Sequence, residues 1–454
     1  MRSAIRSERR AHAPVAPEPP GERISGAERH RRGLDVGEGR SSSGSSCQDL
    51  VVTSARDDSS RPATEGVPPP ERPPVDAVER PLILGVETSC DDTACAIVDG
   101  SGRVLSSVVS SQLAAHRPYG GVVPEIASRE HLSNWTEVYG RALDGAGIGI
   151  AEVDAVAATS GPGLVGSLLV GLSLGKALAY ARDLPFFAVH HLEGHLYSPF
   201  LLPGAPADEI PRELVALVVS GGHTALFAVA PAAGERAPRI RTLGETRDDA
   251  MGEAFDKIGK RLGLDFPAGP LLDALADSAE AANGEQGGFA GGRFSFRVPR
   301  CQQPLDFSYS GLKTRALQLI EQLEQEGAAV DLAASRDPRT LSLVRSFRAA
   351  AVAQLLDRVE RCFELRAFRC LAVSGGVAAN RLLRRQLEGW AAKRGVDLRL
   401  VPLAYSGDNA AMIAFAALVR HRRGERGDDP RAVEALSRVP LGGAGPSRAG
   451  LESP

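Results

Sequence analysis

LILGVETSCDDTACAIV, residues 82–98, and LVALVVSGGHTALFAV, residues 214–229, decide how this chain folds. Each is a short apolar run, a turn of small and polar residues, and a second apolar run, which reads as a strand, a reversal and a returning strand. Leu82–Val86 pairs with Ala94–Val98 around GVETSCDDT, and Leu214–Val219 pairs with Ala225–Val229 around VSGGHT. One such hairpin opens each half of the core, which predicts two related lobes facing a nucleotide cleft. Further strands at Ala155–Thr159, Phe187–Val189 and Cys370–Val373 alternate with helices near 124–146, 163–182, 248–262, 308–326 and 339–364, an α/β pattern.

The chain has 454 residues, too many for one ordinary core, and the two hairpins divide it into lobes at 81–211 and 212–422. Residues 1–80 are rich in Arg, Ser, Pro and Gly without apolar periodicity, and are expected to be a disordered extension. Acids such as Glu8, Glu18 and Glu22 among the arginines argue against a mitochondrial leader, and a start codon chosen too far upstream would produce the same stretch. Residues 423–454 are expected to be a disordered tail.

A formal net charge of −3 excludes a globally basic nucleic-acid binder but not a local basic patch. Six cysteines without Cys-x-x-Cys spacing suit reduced thiols, and the chain reads as cytoplasmic, with a mitochondrial address only in a eukaryotic host. Residues 163–181, GLVGSLLVGLSLGKALAYA, are mostly apolar, but Lys176 and the glycines favour a buried helix over a membrane span.

His191 and His195 of VHHLEGHLYSP stand four apart, a spacing that stacks two imidazoles on one helical face within reach of one metal ion. An isolated pair of this kind is common by chance, and His190 points about 100° away. Asp408, in YSGDNAAMIA, reads either as a helix cap or as a third ligand; two His and one carboxylate suit Fe(II) or Zn(II) with positions left open.

In VSGGHT, Gly221 and Gly222 leave backbone amides open to a phosphate, with Ser220 and Thr224 adding hydroxyls. VSGGVAAN, Val373–Asn380, offers a second such turn, where Asn380 either caps a helix or reaches a ribose or adenine edge. The helix over 248–262 places Met251, Ala254, Phe255, Ile258 and Leu262 on one side. Opposite lie Asp249, Gly252, Asp256 and Lys260, where the Gly252 notch would admit a ligand to Asp256; Gly269 and Asp273 follow on a turn that would close over it.

GVETSCDDT, GGVVPEIASREH, TSGPGLVGSLLVG, HHLEGH, VSGGHT, DDAMGEAFDKIGK, FSYSGLKT, SGGVAANR and GDNAAMIA follow one another across 82–422. In that order they resemble the tRNA N6-adenosine threonylcarbamoyltransferase family, once labelled O-sialoglycoprotein endopeptidase. The resemblance implies the two-lobed fold of actin, sugar kinases and the large heat-shock chaperones, a duplicated ribonuclease H-like unit. It implies transfer of a threonylcarbamoyl group from threonylcarbamoyl-AMP to N6 of the adenosine beside the anticodon in tRNAs reading ANN codons. One divalent metal, iron(II) or else zinc, is implied on His191, His195 and Asp408. The donor is implied to lie against Val218, Val219, Ser220, Gly221 and Gly222, with Asp256, Gly269, Asp273 and Asn380 on its other sides, and Asp91 and Asp92 pointing into the cleft. An inactive paralogue as dimer partner and a small ATPase are implied as helpers, with no membrane. Ser406-Gly407 replaces the usual Cys-Thr before Asp408, and the long N-terminal extension is not a family feature.

Without a Ser/His/Asp or Cys/His constellation, direct transfer is expected, the site aligning donor and amine and stabilising developing charge. A metallopeptidase would need Glu immediately after the first His, where Leu192 stands, and Glu193 falls about 200° around a helix from His191. A sugar-kinase-like ATPase would leave the histidines unemployed, and a non-catalytic scaffold would tolerate degenerate motifs.

Overall fold

A computed structural model describes residues 78–231, 238–282, 294–299 and 301–442. Up to residue 77, the expected extension lies outside the described residues.

The first lobe runs through β1 (Ile83–Glu87), β2 (Asp92–Val98), β3 (Val104–Ser111), α1 (Leu113–His116), α2 (Pro124–Ala146), β4 (Ala155–Gly161), α3 (Val165–Arg182), β5 (Phe186–His190) and α4 (His191–Tyr197). The second runs through β6 (Leu214–Val219), β7 (Thr224–Ala230), β8 (Arg239–Glu245), α5 (Met251–Arg261), α6 (Gly269–Ala282), α7 (Ser310–Gln325), α8 (Pro338–Leu365), β9 (Cys370–Ser374), α9 (Arg381–Arg394) and β10 (Asp397–Leu400). A last helix, α10, spans Ala410–Arg422.

Both sheets have five strands in one topology, β3-β2-β1-β4-β5 and β8-β7-β6-β9-β10. In each, an antiparallel meander supplies three strands and two parallel strands extend the other edge. The hairpin registers run from Ile83 opposite Val98 to Glu87 opposite Ala94, and from Leu214 opposite Val229 to Val219 opposite Thr224. Their central strands are buried on both faces, which explains near-continuous apolar runs in place of alternation. Repetition of the whole sheet, and not of the hairpin alone, gives the expected two-lobed α/β fold.

Helix α10 departs from the expected division at 211/212. It follows the second lobe in sequence but packs on β1, β2 and β4 of the first. Gly85 makes this possible, since a β-carbon there would collide with the Ala410 carbonyl oxygen and press on Ala414. The chain therefore crosses back before it ends.

Helix α3 is partly exposed, unlike the expected buried helix. Ser167, Gly171 and Gly175 face the lobe, and the Thr88 hydroxyl donates to the Ser167 carbonyl at 2.8 Å while accepting from Gly171 N at 3.1 Å. Val165, Leu169 and Tyr180 are exposed on the other side. No helix of the described residues is long and apolar enough to cross a membrane.

The expected tail from 423 is also corrected as far as Gly442. Asp428 N donates to the Phe186 carbonyl at 2.6 Å, Asp428 Oδ2 accepts from Ala188 N at 2.9 Å, and Leu436 N donates to the Ser160 carbonyl at 2.8 Å. Val433 and Leu441 are buried. Backbone bonds to β4 and β5, with two apolar anchors, order a segment that lacks apolar periodicity.

Candidate metal centre and substrate cavity

Helix α4 starts directly from the end of β5, so strand geometry sets where its first turn points. His191 and His195 lie in ring contact, centroids 4.7 Å apart and nearly perpendicular. Helix α10 crosses α4 at Gly194, where a β-carbon would stand 2.9 Å from Ile413 Cδ1 and 3.0 Å from Met412 Cγ. This crossing, together with the Gly85 contact, delivers Asp408 to the histidines. Asn409, not Asp408, caps α10 through Met412 N, at 3.0 Å, so Asp408 is free of the capping role that was its alternative.

Asp408 Oδ1 lies 3.1 Å from His195 Nε2 and 3.5 Å from His191 Nε2. Ligands bound at about 2.1 Å to one ion stand about 3.0–3.4 Å apart, so these separations suit a shared metal. All three ligand atoms lie within 4.8 Å of one another. His191 Nδ1 lies 3.1 Å from Glu87 Oε2 and 3.2 Å from Ser89 Oγ. Donation from Nδ1–H to Glu87 directs the Nε2 lone pair at the ion position. Burial alone would depress the basicity of His191, but the charges of Asp408 and Glu87 outweigh it and hold the ring up at about 9. Asp408 is held well below the usual carboxylate range, since His191 and His195 outweigh its burial. The pocket is thus built for positive charge.

Sequence reasoning missed Glu87, although one signal was available: an acid closing the apolar run LILGVE. Fully buried, it also accepts from Thr159 Oγ1 at 2.6 Å and from Ser89 N.

His191 and Asp408 open onto a cavity of about 1380 Å³ between the lobes, lined by Ser89–Asp92, Gly163, Ser220–Thr224, Asp256, Lys260 and Ser437–Leu441. Asp91 and Asp92 therefore face the cleft as expected. Burial, with the charges of Asp408 and Asp91, pushes the Asp92 carboxyl up to about 7. Burial and the neighbouring acids push the Cys90 thiol far above the ordinary range.

In the VSGGHT turn, Ser220 N donates to the His223 carbonyl at 2.7 Å, and Gly221 and Gly222 face open space. Val218 and Val219 are buried in β6 and support that turn from behind. The expected Gly252 notch is filled by the protein itself: a β-carbon there would stand 2.7 Å from the Ser220 carbonyl oxygen and 2.8 Å from Gly221 Cα. Gly252 lets α5 approach the turn, not a ligand. Asp256 lines the cavity, and its Oδ1 accepts from Ala268 N at 2.8 Å and Gly269 N at 3.3 Å.

Asp273 and Asn380 do not line this cavity. Asp273 Oδ1 pairs with the buried Arg348 at 2.8 Å and its Oδ2 accepts from Arg381 N at 3.0 Å. Asn380 is the N-cap of α9, accepting from Leu383 N at 2.9 Å. Their polar atoms hold the N-terminus of α9 in place.

Glu193, two residues after His191 and so about 200° around α4 from it, lies in the field of Arg420 and Arg423.

The sequence profile of the tRNA N6-adenosine threonylcarbamoyltransferase family matches residues 103–415. A protein of that name from Cyanothece sp. is 44% identical over 367 residues, 79% of this chain and 97% of the relative. Another from Syntrophobacter fumaroxidans is 45% identical, covering 79% of this chain and 99% of the relative. One from Thermus thermophilus is 43% identical, covering 75% of this chain and 94% of the relative. Among solved structures, component A of Acidaminococcus fermentans (R)-2-hydroxyglutaryl-CoA dehydratase aligns at 12% identity with a TM-score of 0.43, over 76% of this chain and 100% of that one.

Proposed function

We infer the site chemistry from one premise: the chain belongs to the tRNA N6-adenosine threonylcarbamoyltransferase family. It is a tRNA-modifying transferase, moving a threonylcarbamoyl group from threonylcarbamoyl-AMP to N6 of the adenosine beside the anticodon in tRNAs reading ANN codons. The observation that carries the assignment of residues is the convergence of His191, His195 and Asp408 at one end of the cavity whose wall is the Ser220–Gly222 turn.

His191, His195 and Asp408 would hold a divalent ion, iron(II) in preference to zinc, which when bound would supply Lewis-acid chemistry to the donor. Glu87 fixes the ring of His191 for that task. The Ser220–Gly222 turn, part of the cavity wall, receives the donor phosphate through its backbone, and the Asp256 carboxylate accepts from its hydroxyls. Because AMP is a good leaving group, N6 needs alignment with the carbamoyl carbon more than activation, and the enclosing walls provide that alignment. Gly269 assists through its amide on Asp256; Asp273 and Asn380 act from behind, by fixing α9.

The exposed apolar side chains of Leu132 on α2 and Val165 and Leu169 on α3 support docking of a related chain as dimer partner. A small ATPase as the further helper and a cytoplasmic location complete the reading.

Reconstitution tests it. Purified protein with its helpers, tRNA and threonylcarbamoyl-AMP is expected to yield threonylcarbamoyladenosine while a glycoprotein substrate stays uncut. Metal-dependent peptide cleavage without tRNA modification would overturn it.

A further inference from the structure

The ordered segment that follows α10 has no part in the chemistry above, yet it borders the same cavity. After Asp428 has joined β5 and Leu436 has joined β4, Gly163 N donates to the Ser437 carbonyl at 3.3 Å. Residues 437–441 then form part of the cavity wall. Leu441 is buried in the core, and a β-carbon on Gly442 would collide with the carbonyl oxygen of Ile240 on β8. The segment is a strap that leaves the first lobe, skirts the cavity and seats on the second.

One side chain joins this strap to the helix that carries the two histidines. His190 Nδ1 accepts from Leu192 N at 3.1 Å, as the N-cap of α4. His190 Nε2 lies 3.0 Å from the Val439 carbonyl oxygen. A carbonyl only accepts, so Nε2 carries the proton and Nδ1 is left as the acceptor the helix start requires. The bond to the strap therefore fixes both the tautomer and the ring orientation of the cap.

We propose that His190 is a positioning residue that couples the C-terminal strap to α4, so that seating of the strap sets the placement of His191 and His195. The proposal rests on the reading of His191, His195 and Asp408 as metal ligands. It assigns His190, which binds no metal itself, a role beyond that reading. His190 stands to the pair as an outer partner stands to a ligand, and loss of such partners weakens metal binding without abolishing it.

Zinc affinity of the full-length protein, measured by competition with a chelating dye, tests the coupling. His190→Ala and Leu441→Asp, which unseats the strap, are each expected to weaken zinc binding about tenfold. The double variant is expected to be no weaker than either single one, because both break the same link. His190→Asn, which retains an acceptor for Leu192 N but is too short to reach Val439, is expected to bind zinc better than His190→Ala and to be insensitive to Leu441→Asp. Multiplication of the two single effects to about a hundredfold, or wild-type affinity in His190→Ala, would overturn the proposal. If His190→Ala does not fold, Leu441→Asp compared in the wild-type and His190→Asn backgrounds decides the question. His191→Ala separates the premise from the proposal: wild-type zinc affinity there refutes the metal centre, whereas zinc lost in His191→Ala and unchanged in His190→Ala refutes only the coupling.

Discussion

Glu87 and His191 are neighbours across 104 residues of sequence, Oε2 to Nδ1 at 3.1 Å, and both are buried. A carboxylate in that place decides which imidazole nitrogen remains free. Glu87→Gln keeps the shape and the acceptor but removes the charge. It is expected to lower metal affinity about tenfold or more, as for other carboxylates behind a ligating histidine. Equal metal binding by Glu87→Gln and the wild-type protein would reduce Glu87 to a packing role.

His191→Ala, His195→Ala and Asp408→Ala are each expected to release most of the metal and depress transfer to a similar degree, with double variants little worse than single ones. Elemental analysis of the purified variants checks this directly. Full metal content in Asp408→Ala would leave only the histidine pair.

Gly85→Ala probes the site from a distance. Its methyl would meet backbone, not a movable side-chain end, so α10 must shift away from β1. A stability loss of about 1–3 kcal/mol is expected from the overpacking. Metal affinity is expected to fall with it, since Asp408 lies just before α10. Denaturant unfolding and metal titration on the same sample separate the two effects.

Asp256→Ala is expected to weaken binding of a donor analogue by about 1–3 kcal/mol, through loss of hydroxyl bonds to the carboxylate. It is also expected to cost about 0.5–2 kcal/mol of stability, because Oδ1 caps the amides at the start of α6. Asp256→Asn keeps one acceptor and should recover most of the stability. Calorimetry showing unchanged affinity in both variants would confine Asp256 to the cap.

The start of α8 gives a pH-dependent case. Asp337 accepts from Arg339 N at 2.9 Å and pairs with its guanidinium, and these bonds bring its carboxyl down to about 2. A depressed folded-state value means the contribution is present above about pH 4, the unfolded range, and is lost as pH falls toward 2. The melting-temperature gap between the wild-type protein and Asp337→Ala is therefore expected at pH 7 and should close on acidification. A gap that persists at pH 2 would show that the lost contacts are not ionic.

What the sequence disclosed followed burial. Strands β1, β2, β6, β7 and β9 are apolar because both faces are covered, so they stand out. The edge strands β3, β8 and β10 escaped: VLSSVVSS and RIRTLGE alternate with polar residues facing water, and DLRL is too short to carry a pattern. The histidine spacing was legible because α4 turns at the expected pitch. Pairing with Asp408 was legible only through the family resemblance, since it depends on two close helix contacts at Gly85 and Gly194 that no local pattern encodes. Asp273 and Asn380 show what a motif leaves unsaid. They sit in motifs of the cleft, but their carboxylate and amide oxygens are spent on Arg348 and on the start of α9.

The return of α10 to the first lobe also fixes an order of events during synthesis. His195 leaves the ribosome 213 residues before Asp408 does, and until the second lobe has been made the nascent chain holds two imidazoles without their carboxylate. So distant a pairing closes late in folding, because a long loop must be ordered before the contact rewards it. Retention of metal then reports that the last helix has docked, and a chain cut short before residue 408 would carry the histidines yet fail that check.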